Sequence, residues 1–234
     1  MEAARKTGLL GGCSLRSVRF EPENRRRYNV NDNLGFDEIA AKAGLCVTDF
    51  SKFGCTVTKA EKYIEKMFPR IDGDLVFMNF GMYDSDFDWE NISASPLEAH
   101  GPVTELTAFL ESYNRIIDYT LERRRMPVLS TLIPVDAKAH IDHVCSRGNL
   151  NRDNVMRWLG IDFSSIENTR RIYSEAVREL AFRREVPLID IRTAFLEQGR
   201  KENLLGPDGF RPNAEGRQVI HDCFAGFMFD YLTF

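Results

Sequence analysis

The chain's 234 residues are 43% hydrophobic and 28% charged, a soluble globular balance with enough apolar material for a sizeable core. The net charge of −4 disfavours a nucleic-acid-binding surface, and no apolar run is long enough to span a bilayer. Met1–Lys6 leads into a run too short and too glycine-broken for a signal peptide, so a cytoplasmic protein is expected. Cys13, Cys46, Cys55, Cys145 and Cys223 show no paired spacing and read as free thiols.

In chain order, Leu9-Leu10, Leu45–Val47, Leu75–Met78, Val128–Ile133 and Leu188–Ile191 read as five short strands. Uninterrupted apolar strands imply a parallel sheet covered on both faces. Helical spacing lies between them. Residues 104–125 put Leu106, Phe109, Leu110, Tyr113, Ile116, Ile117 and Leu121 on one face, with Thr104 as the expected N-cap. Residues 165–184 and 214–232 carry similar stripes, the second capped by Asn213. The alternation predicts one three-layer α/β/α domain over residues 1–234, with no repeat and no low-complexity linker.

Residues 19–35, 85–103 and 136–164 fit this alternation poorly and read as long loops. Each follows a predicted strand, so all three lie at the carboxyl edge of the sheet, where loops form lids or walls of sites. The same edge receives Gly11-Gly12-Cys13-Ser14. Glycine permits a tight elbow there, and a thiol and a hydroxyl follow it at once, near the positive end of the next helix. Arg16 stands close by.

With these blocks the whole chain resembles an SGNH (GDSL-type) hydrolase. That resemblance implies a flavodoxin-like five-stranded parallel sheet and an esterase or acyltransferase activity without a cofactor. Its Gly-Asp-Ser nucleophile block is similar to Gly11-Gly12-Cys13 in one frame and Gly12-Cys13-Ser14 in the other. The ungapped frame favours Cys13 and the other keeps Ser14. Gly54, in Asp49–Thr56, matches the second block and its oxyanion donor. Gly81-Met82-Tyr83-Asp84 matches Gly-x-Asn-Asp, with Tyr83 in place of the oxyanion asparagine. Asp208-Gly209-Phe210-Arg211-Pro212-Asn213 looks like the Asp-x-x-His block, with Arg211 where the catalytic histidine is expected.

Arg211 changes the chemistry. A guanidinium stays protonated far above neutral pH and has no acceptor, so it cannot take a serine proton. A thiol ionises more readily, and Cys13 beside Arg211 or Arg16 reads as a thiolate that needs no base for attack. Deacylation by water still lacks one. His140 or His143, in the stretch after the fourth strand, is a candidate substitute. His140-x-x-His143-x-Cys145 with Asp142 also allows a weaker, metal-assisted reading, although its spacing is not the helical zinc pair. The ordinary expectation for both histidines is an exposed loop position; His221 is expected at the solvent, and His100 tells nothing. Arg25–Arg27 and Arg123–Arg125 read as solvated faces.

The expected activity is hydrolysis or transfer of a small acylated compound, anionic or carbohydrate-linked. Cys13 or Ser14 is the nucleophile, Gly54 and the elbow form the oxyanion hole, Tyr83 donates, Asp208 orients and Arg211 binds charge. Arg16, Asp84, His140 and His143 are expected against the substrate. The rival reading is a non-catalytic relative that binds a ligand or partner in the same pocket. The oligomeric state is not written in the sequence.

Overall fold

The computed structural model describes residues 5–11, 16–20, 28–33, 45–71, 73–147, 150–160 and 162–232. Among the described residues five parallel strands form the main sheet: β1 (Arg5–Gly11), β4 (Leu45–Asp49), β5 (Leu75–Asn79), β6 (Met126–Ser130) and β7 (Leu188–Ile189). Their order is β4-β1-β5-β6-β7. The chain leaves β1 to one side for β4 and to the other for β5. The switch point therefore lies between β1 and β5, where an open α/β sheet opens a crevice at its carboxyl ends. Gly11, the last residue of β1, is in register with Asn79, the last of β5.

The expected sheet is present, with shifted ends. β4 runs two residues further than expected, and β6 stops at Ser130, with Leu132 and Ile133 buried beyond it. β7 stops at Ile189 because Asp190 turns the chain into a helix, accepting from the Thr193 amide at 3.2 Å.

Helices cover both faces. On one face α1 (Val57–Met67), α3 (Leu106–Glu122) and α6 (Ser164–Arg183) pack Ile64, Ile116 and Val177 with Val76 and Met78 of β5. On the other, α2 (Trp89–Ala94), α4 (Ala137–Arg147), α5 (Arg152–Leu159), α7 (Ile191–Glu197) and α8 (Ala214–Leu232) pack Ile92, Ile141, Val155, Phe195 and Phe224 with Leu75 and Phe77. Alternate residues of β5 thus feed two cores, which is why the strand has no polar face. No helix among the described residues is long and apolar enough to cross a membrane.

Three local expectations change. Thr104 does not cap α3; it is buried, and its amide donates to the Asp84 carbonyl at 3.0 Å. Glu105 precedes that helix without a side-chain cap, whereas Asn213 caps α8 as expected, accepting from the Gly216 amide at 2.9 Å. Part of stretch 19–35 is paired: β2 (Arg16–Phe20) and β3 (Tyr28–Asn33) form an antiparallel ribbon. Arg25–Arg27 lie outside the described residues. Stretch 136–164 is mostly helical, as α4 and α5. Ala137, Ile141, Val144 and Cys145 supply the helical spacing there, all packed in or against the core.

Candidate active site

β1 ends at Gly11, the first residue of the expected elbow, in register with Asn79 at the switch point. Cys13 and Ser14 lie outside the described residues. Arg16 opens β2 opposite Asn33, and its side chain lies outside the description. Gly54 follows β4 in a turn with φ +65°, a conformation that favours glycine, and its carbonyl accepts from Lys59 Nζ at 3.3 Å.

The β5–α2 loop separates two residues that were expected together. Asp84 is 0% exposed. Its two oxygens accept from the amides of Val57 at 2.9 Å and Gly81 at 3.0 Å, tying the start of α1 to the loop after β5. Burial pushes its carboxyl up to about 6, against the pull of these donors and of the Thr104 side chain. Tyr83 points the other way, its ring between Phe53 at 5.8 Å and Phe210 at 5.6 Å.

The Asp208–Arg211 loop meets Tyr83. Arg211 Nη1 lies 2.5 Å from Asp208 Oδ2, and Arg211 Nη2 donates to the Tyr83 hydroxyl at 3.2 Å. The amides of Phe210 and Arg211 donate to Asp208 Oδ1 at 3.0 and 2.9 Å. The guanidinium also lies over the Phe53 ring, 4.8 Å from its centre. Burial would raise the Asp208 carboxyl, but the Arg211 charge and the two amides outweigh it and hold it below the ordinary aspartate value. The charge expected to bind substrate is thus already engaged by Asp208.

The histidines occupy a helix, not a loop. His140 is 4% exposed, and its Nε2 lies 3.1 Å from Asp86 Oδ1. Its ring stacks on Phe210, the centres 4.6 Å apart and the planes at 22°, and meets the Trp89 ring edge to face with centres 5.9 Å apart. Its Nδ1 is buried without a hydrogen-bond partner among the described residues. Asp86 accepts as well from Trp89 Nε1 at 3.0 Å. Burial opposes the Asp86 charge, while His140 and the Arg170 guanidinium hold the carboxyl low. Arg170, itself 1% exposed, lies 4.5 Å over Phe210. His143, one turn beyond His140, is half-buried. Among the described residues no three His, Cys, Asp or Glu side chains are grouped to hold a metal ion, so the set of the weaker, metal-assisted reading, His140, His143, Cys145 and Asp142, does not assemble. His221 is part-buried on α8, and the His100 ring nitrogen lies 2.8 Å from the Ser95 carbonyl.

A cavity of about 620 Å³ opens among these parts. Its wall includes Tyr83, His140, His143, Asp208 and Arg211 of the expected residues, and also Asp86, Trp89 and Arg147. Asp84 and Gly54 are not part of that wall. Asp86 and Trp89 fall in stretch 85–103, expected at this edge, and Phe210 in the last block, but the sequence assigns none of them an individual role and does not single out Arg170. An aspartate two residues past Gly81–Asp84 carries no distinctive spacing, and Arg170 lies inside an ordinary helical stripe. The described thiols are not set up as nucleophiles: burial pushes Cys55 and Cys223 up to about 11 and raises Cys145 as well.

The sequence profile of the GDSL-like lipase/acylhydrolase family matches residues 24–219. The chain belongs to this family. The match takes in Gly54, Tyr83, Asp208 and Arg211 and begins after the elbow. No curated protein matches the chain in sequence. Solved structures share the fold. LAE5, an alpha/beta hydrolase enzyme from the metagenome of Lake Arreo, Spain, is 18% identical with a TM-score of 0.67, covering 97% of this chain and 96% of its own. The lipase/acylhydrolase from Enterococcus faecalis is 15% identical with a TM-score of 0.67, covering 96% and 95%. The acetylxylan esterase Axe2 from Geobacillus stearothermophilus is 14% identical with a TM-score of 0.67, covering 97% and 94%. At these identities the likeness is one of fold.

Proposed function

We propose that this protein is an ester hydrolase that removes a small acyl group from a carbohydrate-linked substrate, with Ser14 or Cys13 as nucleophile. The observation that carries this reading is the cavity at the carboxyl edge, where Tyr83, Asp208 and Arg211, from two of the family's chemical blocks, share one wall. An acyl transfer to another hydroxyl uses the same first half-reaction.

The lining favours a polyhydroxylated substrate over an anionic one. Arg211 is engaged with Asp208 and Tyr83. Asp88 and Glu90 are exposed at the rim, where carboxylates accept from sugar hydroxyls and repel anions. Trp89 and Phe87 add aromatic wall. The acetylxylan esterase among the similar folds lends the substrate class further support.

The test is release of acetate from acetylated xylo-oligosaccharides by the full chain, with a chromogenic acetate ester in parallel. Turnover of both is expected, and turnover of neither overturns the hydrolase reading. The Asp208–Arg211 clamp favours one rival, a binding protein without turnover. On that rival reading the wild-type chain is inert, binds the oligosaccharide in calorimetry, and gains turnover from Arg211→His.

A further inference from the structure

Three features of the cavity wall bear on the missing base. First, α4 is fastened to the loop where the family's histidine is expected. The Asp136 amide donates to the Gly209 carbonyl at 2.8 Å. Gly209 has φ +60°, and a Cβ there would meet the Asp136 carbonyl oxygen at 2.5 Å and the His140 amide at 2.7 Å. The contact between loop and helix is therefore backbone on backbone. Second, the two histidines of α4 are not equivalent. His140 is enclosed between Phe210 and Trp89, with Nε2 committed to Asp86 and Nδ1 shut away from solvent. His143, three residues on and so on the same helix face, is half-buried in the cavity wall with Asp208 and Arg211. Third, the strongest charge acting on His143 is the Asp208 carboxylate, with Arg147, Arg211 and His140 opposing it.

Resting on the esterase reading above, we infer that His143 is the general base of the reaction, carried to Asp208 by α4 in place of the residue that Arg211 displaces. His140 is a positioning residue: it holds Phe210, and through it the loop, against α4. Burial pushes the His143 imidazole below its ordinary value, which outweighs Asp208 and leaves the ring neutral and able to accept a proton near pH 7.

With Ser14 as nucleophile the ring takes the hydroxyl proton as the serine oxygen bonds the acyl carbonyl carbon. The departing alcohol oxygen takes that proton back as its bond to the acyl carbon breaks. Water then loses a proton to the ring as its oxygen bonds the acyl carbon, and the serine oxygen recovers the proton on leaving. With a Cys13 thiolate, the alcohol takes its proton from solvent. The water step is the same, the thiolate leaves unprotonated, and the ring returns its proton to solvent.

The test is steady-state hydrolysis of a chromogenic acetate ester by the full-length wild type, His143→Gln, His143→Ala and, as a control on α8, His221→Ala. For His143→Gln the expected result is a loss of turnover of about 100-fold or more, with a thermal midpoint like that of the wild type. The acid limb of the pH–rate profile, centred below the ordinary histidine value, disappears in that variant. Added imidazole restores part of the turnover of His143→Ala and none to His221→Ala, which needs none. Wild-type turnover that persists in His143→Gln with an unchanged acid limb overturns the assignment alone. A wild-type chain without turnover overturns the esterase reading and this assignment with it.

Discussion

Arg211 Nη1 lies 2.5 Å from Asp208 Oδ2, and the same carboxylate accepts from the Arg211 amide at 2.9 Å. The guanidinium also donates to the Tyr83 hydroxyl and lies over the Phe53 ring. Replacing the guanidinium leaves a largely buried carboxylate with only its backbone donors. Arg211→Gln is expected to lower stability at pH 7 by about 1–3 kcal/mol in chemical denaturation. The pH dependence has a definite sign. The Asp208 carboxyl is depressed in the folded state, so its contribution is fully present above the unfolded value, near 3.9, and is lost as pH falls through the lower folded value. The gap between wild type and Arg211→Gln should therefore narrow below about pH 4.

Asp84 is a bolt between α1 and the β5 loop. In Asp84→Ala the Val57 and Gly81 amides lose their acceptor inside the protein. Two such losses amount to about 2–4 kcal/mol, seen as a lower denaturation midpoint. The wild-type pH dependence at this group runs opposite to that of Asp208. Its folded value, about 6, lies above the unfolded one, so its contribution to stability falls as pH rises from about 4 to 6 and then levels off. Asp84→Asn should flatten that slope.

Gly209→Ala tests the seam between the last loop and α4. The new methyl meets backbone atoms at 2.5 and 2.7 Å, at a positive φ that alanine resists. A loss of about 2 kcal/mol or more is expected, together with turnover, because α4 and its histidines part from Asp208. Thermal denaturation and ester kinetics on the same preparation check both.

Alkylation should be selective. Burial raises the thiols of Cys55, Cys145 and Cys223. Iodoacetamide at pH 7 is expected to spare all three in the folded chain and to modify them after denaturation, as read by peptide mass spectrometry.

Most of the fold was legible because continuous apolar strands and helical stripes are local signals. β5 and β6 read directly from Leu75–Met78 and from the run beginning at Val128. That Tyr83 and the Asp208–Arg211 loop share a cavity wall was legible too, since each lies in a short contiguous run. What stayed hidden depends on distant partners. Asp84 and Asp86 are two residues apart; whether one is a bolt and the other a partner of His140 is decided by Val57, Gly81 and α4. The helix carrying His140 and His143 was passed over because its charged and polar residues outnumber the Ile141–Val144 stripe. Arg170 carries no sequence signal of its own, and its burial follows from α6 packing behind Phe210.

The proposal that Ser14 or Cys13 is the nucleophile stands or falls with that residue's reactivity. It is tested most directly by treating the native chain with a fluorophosphonate and, separately, with iodoacetamide, then mapping adducts by peptide mass spectrometry. An adduct on Ser14 or Cys13 that acetylated xylo-oligosaccharide suppresses is the expected result; an elbow labelled by neither reagent would contradict it.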